Sequence, residues 1–89
     1  MPEYPADIDV ETNAAVGVGA AAITAKDHCL SILIQADPDN TDDVFIGSSA
    51  AQVIQLLAGG SMTSGVTDPS KIFAKSASGT QTLNLFLEI

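Results

Sequence analysis

The chain has few cysteine and aromatic residues, and each shortage excludes a class of protein. Its 89 residues include one cysteine, one tyrosine, three phenylalanines and no tryptophan. A single cysteine can form neither an intrachain disulfide nor a cysteine-based zinc site, which excludes the small disulfide-stapled secreted domains. Because domains commonly contain about 100–150 residues, we expect one domain with a small aliphatic core.

Basic residues are also scarce, since three lysines stand against eleven acidic residues and the formal net charge is −8. Nucleic-acid phosphates and anionic membranes both attract clustered lysine and arginine. We therefore expect no nucleic-acid partner and no membrane partner. The small-residue stretch 14–25 is shorter than the roughly 20 residues that span a bilayer. Acidic residues precede it, which is the wrong charge for a signal peptide.

The first thirteen residues, MPEYPADIDVETN, combine prolines with acidic side chains. Proline favours extended backbone and lacks an N–H donor, so no regular element is expected to start here. The sequence predicts an extended acidic N-terminal arm over residues 1–13 and a folded domain over residues 14–89. Tyr4, Ile8 and Val10 are the arm side chains expected to bury against a partner. A disordered terminus is the alternative.

After the arm, apolar and polar residues alternate with a period of two, which is typical of β-strands. The clearest runs are residues 30–36 and 82–89, and shorter candidates are 16–24, 44–47, 53–57 and 71–76. Glycine, or aspartate and asparagine beside proline, separates these runs, as in an antiparallel sandwich or barrel. The sequence therefore predicts an all-β fold, a small jelly-roll-like β-sandwich or barrel. A helical turn at residues 49–52 is an alternative in one segment.

Four large apolar side chains fall out of phase with the main apolar set of their strands: Leu33, Phe45, Phe73 and Phe86. A sheet face in contact with water should carry polar residues at these positions. Large apolar groups on both faces indicate that each sheet is covered twice, and a short chain has little material for that. We expect these four side chains to contact a partner or another copy of the chain.

One cluster of charged residues, DPDNTDD at positions 37–43, has the spacing of oxygen ligands that begins a calcium loop. The match then fails, because Asp42 stands where an EF-hand has glycine and Ser48 stands where it has a bidentate glutamate. We expect a solvated hairpin loop and no metal site. This segment is called the acidic loop below.

The remaining candidates for chemistry are also weak. His28 and Cys29 are neighbours at the start of a predicted strand, so their side chains point to opposite faces and cannot form a nucleophile–base pair. Cys29 is expected to be buried and His28 exposed. The G-x-G at Gly17 and Gly19 lacks the third glycine of a dinucleotide-binding loop. We therefore expect no catalytic residues and no cofactor, and the chain is not predicted to be an enzyme.

Over residues 23–89 the order of motifs is specific: ILIQADPDNTDDVFIG, LLAGGS, DPSKIFAKSASGTQ and a final alternating TLNLFLEI. This pattern resembles that of small all-β virion proteins of tailed bacteriophages. Phe45 and Phe73 stand where that pattern usually has tyrosine. The resemblance implies a capsid decoration (cement) protein on the outer capsid surface, often a homotrimer, that binds the major capsid protein and stabilises contacts between its subunits. The alternative is a tail or fibre attachment module, or a carbohydrate-binding module for a host receptor.

The acidic loop is predicted to fold without metal. Its four aspartates repel one another, so calcium should have only a small effect, through screening of that repulsion. We expect the melting temperature to be unchanged by EDTA. A fall of many degrees in EDTA that calcium reverses would contradict the prediction.

Overall fold

The computed structural model describes residues 8–88, with the backbone alone at positions 8, 9 and 11–13. The strands are β1 (Ile8–Val16), β2 (Ala21–Ala22), β3 (Ser31–Ala36), β4 (Val44–Gly47), β5 (Gln52–Leu56), β6 (Ser61–Ser64), β7 (Phe73–Ser76) and β8 (Gln81–Glu88). A single 3-10 turn, Pro69–Lys71, lies between β6 and β7. Within these residues no helix has the length and apolarity to cross a membrane.

The strands form two four-stranded antiparallel sheets. Sheet 1 has the order β1-β8-β3-β6 and sheet 2 has the order β2-β7-β4-β5. Four of the pairs are nested, because β1 pairs with β8, β2 with β7, β3 with β6 and β4 with β5. The chain is thus one long hairpin with its tip between β4 and β5, rolled until β8 also meets β3 and β7 also meets β4. This is a small jelly roll, and the all-β sandwich prediction is confirmed.

The core lies between the inner faces of the two sheets and is aliphatic. Alternation along each strand sends every second side chain inward. The inward residues of sheet 1 include Ile32, Ile34, Leu83, Leu85 and Leu87, and those of sheet 2 include Val44, Ile46, Leu56 and Ala74. Each large aliphatic side chain buried in this way contributes about 1.5–3 kcal/mol through removal of apolar surface from water. The three phenylalanines lie outside this core, on the outer faces.

The first strand begins within the predicted arm. β1 pairs with β8 from Ile8 opposite Glu88 onward, and its register shifts between Glu11 and Ala14. The prediction that residues 1–13 lie outside the sheet is therefore wrong from residue 8, whereas residues 1–7 are outside the described part. The sequence pattern did not predict this strand because acidic residues alternate with its apolar residues, and aspartate is uncommon in strands. An edge strand pairs with only one neighbour and therefore tolerates acidic residues. Its register shift also limits pairing with any further strand.

Two other strand predictions need correction. The predicted strand at residues 16–24 is reduced to β2, because residues 17–20 carry the chain from sheet 1 to sheet 2. Their glycines provide little side chain to pack on either sheet. The sequence pattern also did not predict β6, because its residues SMTS lack the expected apolar alternation. β5 is present and starts at Gln52, so the helical alternative at residues 49–52 does not form.

One residue in each of three sequence motifs has a specific role in forming a turn. A Cβ atom on Gly47 would collide with the Ala51 carbonyl oxygen in the turn after β4. Gly59 has a φ of +82°, a left-handed conformation that glycine adopts without steric cost. The Asp68 carboxylate accepts hydrogen bonds from the Ser70 N–H (3.1 Å) and hydroxyl (2.5 Å), which caps the 3-10 turn. These motifs specify turns and contribute no reactive group.

Because β1 is part of sheet 1, two N-terminal deletions should differ sharply. Deleting residues 1–13 removes four of the seven paired positions of β1 and leaves that part of the β8 edge open. We expect this variant to lose several of the roughly 5–15 kcal/mol that stabilise a domain. Deleting residues 1–7 leaves every described strand intact and should change stability little. Urea unfolding followed by circular dichroism measures both, and equal midpoints for the two variants would contradict the assignment of β1.

Candidate interaction surfaces

The structure divides the predicted contact residues between the two outer faces. Val10, Leu33 and Phe86 lie on the outer face of sheet 1, whereas Phe45 and Phe73 lie on the outer face of sheet 2. Of the other two predicted contact residues, Tyr4 is outside the described residues and Ile8 is described by its backbone alone. No single site therefore contains all of them.

On sheet 1 three apolar side chains form a row across neighbouring strands. Phe86 in β8 is directly opposite Val10 in β1 on one side and Leu33 in β3 on the other. The exposed fractions are 54% for Val10, 38% for Phe86 and 37% for Leu33. Directly opposed side chains in adjacent strands lie about 4.5–5.5 Å apart, so the three form one continuous patch. We call it the apolar row.

A shallow polar-rimmed groove lies beside the apolar row. It has a volume of about 230 Å³, and Gln35, Ser61 and Asn84 contribute polar groups to its lining. The Asn84 side-chain amide donates to Gln35 Oε1 (3.3 Å) and Asp37 Oδ2 (3.1 Å), which fixes this side of the rim. Pockets that enclose a small molecule are usually about 300–1,000 Å³. An apolar centre with a polar rim is instead typical of a contact between proteins.

The outer face of sheet 2 carries a second apolar patch. Phe45 in β4 is opposite Lys75 in β7, and Phe73 is two residues before Lys75 on the same strand. This places the two phenylalanines diagonally, about 7–8 Å apart, within reach of aromatic side chains. Val53, at the edge of the sheet in β5, is 73% exposed. The sequence did not single out Val53, which falls at the register shift of β5, between Gln52 opposite Gly47 and Ile54 opposite Ile46.

Charge is divided between the sheets. Within the described residues, the strands of sheet 1 contain the acids Asp9, Glu11 and Glu88 and no lysine. The strands of sheet 2 contain Lys75 and no acid. On the outer face of sheet 1, Glu88 accepts a hydrogen bond from the Ser31 hydroxyl (2.7 Å). The overall charge of −8 conceals this difference, which depends on which strands pair.

The acidic loop is held by hydrogen bonds to the start of β8. The buried Gln81 side chain accepts from the N–H groups of Thr41 (3.0 Å) and Asp42 (3.3 Å) through Oε1 and donates to the Ser78 carbonyl (2.9 Å). The Asn40 side chain donates to the Thr82 carbonyl (2.9 Å) and accepts from its N–H (2.8 Å). A buried amide with paired donors and acceptors is a stabilising feature. The loop is therefore an ordered part of the sandwich end.

Two carboxylates in this loop have altered acidity. The Asp39 N–H (2.9 Å) and the Asn84 amide donate to Asp37, and they lower the pKa of that carboxyl below its usual value. The Ser78 hydroxyl (2.5 Å) and the Asp43 N–H (2.8 Å) lower the pKa of Asp42 in the same way. Donors that prefer the charged form cause both shifts. In the described residues, no group of three or more His, Cys, Asp or Glu side chains could hold a metal ion.

His28 and Cys29 lie in the connection before β3 and not at the start of the strand as predicted, but they differ in burial as expected. Cys29 is buried and its thiol donates to the Val66 carbonyl (3.1 Å), while His28 is exposed. Burial, with a smaller contribution from the Asp68 carboxylate, raises the pKa of the Cys29 thiol. A thiol held in its protonated form is a poor nucleophile. The predicted burial of Cys29 and exposure of His28 are confirmed.

Comparison with known protein-family models, curated proteins and solved structures finds no match for this chain.

The lowered pKa values of Asp37 and Asp42 predict a loss of stability in acid. Asp37 and Asp42 have lower pKa values folded than unfolded, so their stabilisation is fully present above the ordinary aspartate value of about 4. It disappears as the pH falls through the folded values, because protonation is then tighter in the unfolded chain. We expect Asp42→Asn to lower the urea midpoint at neutral pH and to flatten its decline below about pH 4.

The matched control is Asp27→Asn, an exposed aspartate in the β2–β3 connection outside this network. Its urea midpoint at neutral pH should equal that of the unmodified chain. Equal pH profiles for Asp42→Asn and the unmodified chain would contradict a stabilising role for the Asp42 hydrogen bonds.

Proposed function

We propose that this chain is a structural assembly protein: a capsid decoration protein on the outer surface of a tailed-bacteriophage virion. In this role it binds the major capsid protein, associates with copies of itself and stabilises contacts between capsid subunits. Two independent observations support the proposal. One is the resemblance of the motif order to small virion proteins, and the other is the presence of exposed apolar surface on both sheets.

The observation that carries the proposal is the apolar row. Its three side chains are each more than a third exposed, yet they lie side by side on a regular sheet face with hydrogen-bonded polar residues around them. An isolated exposed side chain needs no explanation, but a contiguous apolar patch with a polar rim marks a surface that meets protein. The adjoining groove is too small and open to favour a small-molecule substrate.

The chemistry of the described residues is consistent with a binding role. Cys29 is buried, burial raises the pKa of its thiol, and His28 is exposed. The acidic loop uses its carboxylates to accept hydrogen bonds from neighbouring residues. Jelly rolls serve both viral capsids and lectins, so the fold is compatible with the proposal without deciding it.

Residues 1–7 precede β1 in the sequence and include the acids Glu3 and Asp7. We expect these acids to meet a basic groove on the capsid subunit, with Tyr4 as the apolar anchor. Seven residues reach about 23 Å when extended, enough to cross to a neighbouring subunit. Attachment by opposite charges should weaken as salt is added.

The proposal is tested by binding to undecorated capsid shells. We expect saturable occupancy, at a copy number comparable with that of the major capsid protein, that weakens in salt and on deletion of residues 1–7. Leu33→Ala in the apolar row should weaken occupancy about tenfold, or about 1.4 kcal/mol. Leu30→Ala is the matched control, since Leu30 and Leu33 are 40% and 37% exposed, and it should change occupancy by less than about twofold.

Two results would contradict the proposal. Absence of saturable binding to shells would exclude the decoration role. A copy number of only a few per particle would instead support the tail or fibre alternative. Glycan binding by the chain would then indicate a module that binds a host receptor. Equal effects of Leu33→Ala and Leu30→Ala on shell occupancy would show that the apolar row takes no part in shell binding.

A further inference from the structure

We infer that the outer face of sheet 1 in one copy packs on the outer face of sheet 2 in a second copy. This inference rests on the proposed assembly role and specifies which surfaces meet. The occupant of the apolar row is thus another copy of this chain, which presents Phe45, Phe73 and Val53. The contact joins two different surfaces, so the first copy keeps its sheet 2 face free and the second copy keeps its sheet 1 face free.

The two central strands carry the same arrangement with opposite charge. β8 presents Phe86 and Glu88 outward, and β7 presents Phe73 and Lys75 outward. Both β8 and β7 are the second strands of their sheets. In each strand the ring and the charge are two residues apart, which is about 7 Å. Stacking one face on the other can therefore place a ring against a ring and Glu88 near Lys75.

Charge disfavours the two same-face alternatives. Two copies of sheet 1 would bring Glu88 to Glu88. Two copies of sheet 2 would oppose Lys75 to Lys75. Only the contact between unlike faces pairs opposite charges. Like charges facing each other across an interface destabilise the two same-face contacts. The net repulsion between whole chains acts over longer distances and is screened beyond about 8 Å at physiological salt.

The apolar groups also have the form that sheet packing needs. The apolar row spans β1, β8 and β3, while the patch on sheet 2 spans β7, β4 and β5. Packed sheets lie about 10 Å apart with interdigitating side chains. A four-stranded face is only about 19 Å wide at the usual strand spacing, so a single contact is small and its affinity is expected to be weak.

A contact between unlike surfaces has a consequence for assembly. Such contacts close into a ring when the rotation between copies allows it and otherwise extend as a chain. A contact between like surfaces stops at a two-fold dimer. The two arrangements can be separated by mixing variants that each lack one surface.

The experiment uses Phe86→Ala, which damages the sheet 1 face, and Phe45→Ala, which damages the sheet 2 face. In sedimentation velocity at several concentrations, we expect the unmodified chain to associate and each variant alone to remain monomeric. An equimolar mixture should form a one-to-one heterodimer, because each variant supplies the surface that the other lacks. Leu30→Ala, of similar exposure to Leu33, should assemble as the unmodified chain does.

A second set of variants tests the charge pairing without removing an aromatic ring. Glu88→Lys alone and Lys75→Glu alone should each reduce association at least about tenfold, and the double variant should restore it by reversing the pair. Circular dichroism and urea unfolding establish that each variant is folded. The restored association is specific to unlike faces, since a same-face contact would keep like charges opposed in the double variant.

Three results would overturn the inference: association of Phe45→Ala alone, absence of a heterodimer in the mixture, or a monomeric unmodified chain at several hundred micromolar. The first would indicate a contact between two sheet 1 faces. A chain that stays monomeric yet saturates shells would contradict this inference while leaving the decoration role intact. Association without shell binding would do the reverse.

Discussion

The whole arrangement depends on the alternation of β8 between two neighbouring strands. Leu83, Leu85 and Leu87 point inward and are almost completely buried, while Phe86 and Glu88 point outward. The strand pairs with β1 on one side and β3 on the other, so its register positions both. A slip by one residue would exchange the leucines with the outward set and expose the core. Burial of these leucines therefore also fixes the apolar row on the surface.

The composition of the core explains why aromatic rings are on the outside. Two short facing sheets leave a thin interior, and Ile, Leu, Val and Ala fill it. All three phenylalanines remain on the outer faces, where they are only partly covered. Rings in such positions combine a large apolar area with few rotatable bonds, which suits a contact surface. The small core and the exposed rings are consequences of the same limited size.

The elements predicted from sequence were those whose own residues contain the signal. β3, β4 and β8 show clear alternation. β1 was not predicted because acidic residues alternate with its apolar ones, and β6 was not predicted because it has almost no apolar residues. Both strands are stabilised by pairing with a distant partner, which a local pattern does not record.

By itself the sequence determined the acidic charge, the all-β class, the inward and outward sets of β3 and β8, and the turn positions. Tertiary structure alone decided that Val10, Phe86 and Leu33 lie in one row while Phe45 and Phe73 lie on the opposite side of the molecule. It also separated Glu88 from Lys75 onto different faces and placed Gln81 beneath the acidic loop. The reason is that alternation is a property of one strand, whereas the choice of neighbouring strands follows from burying both sheets together.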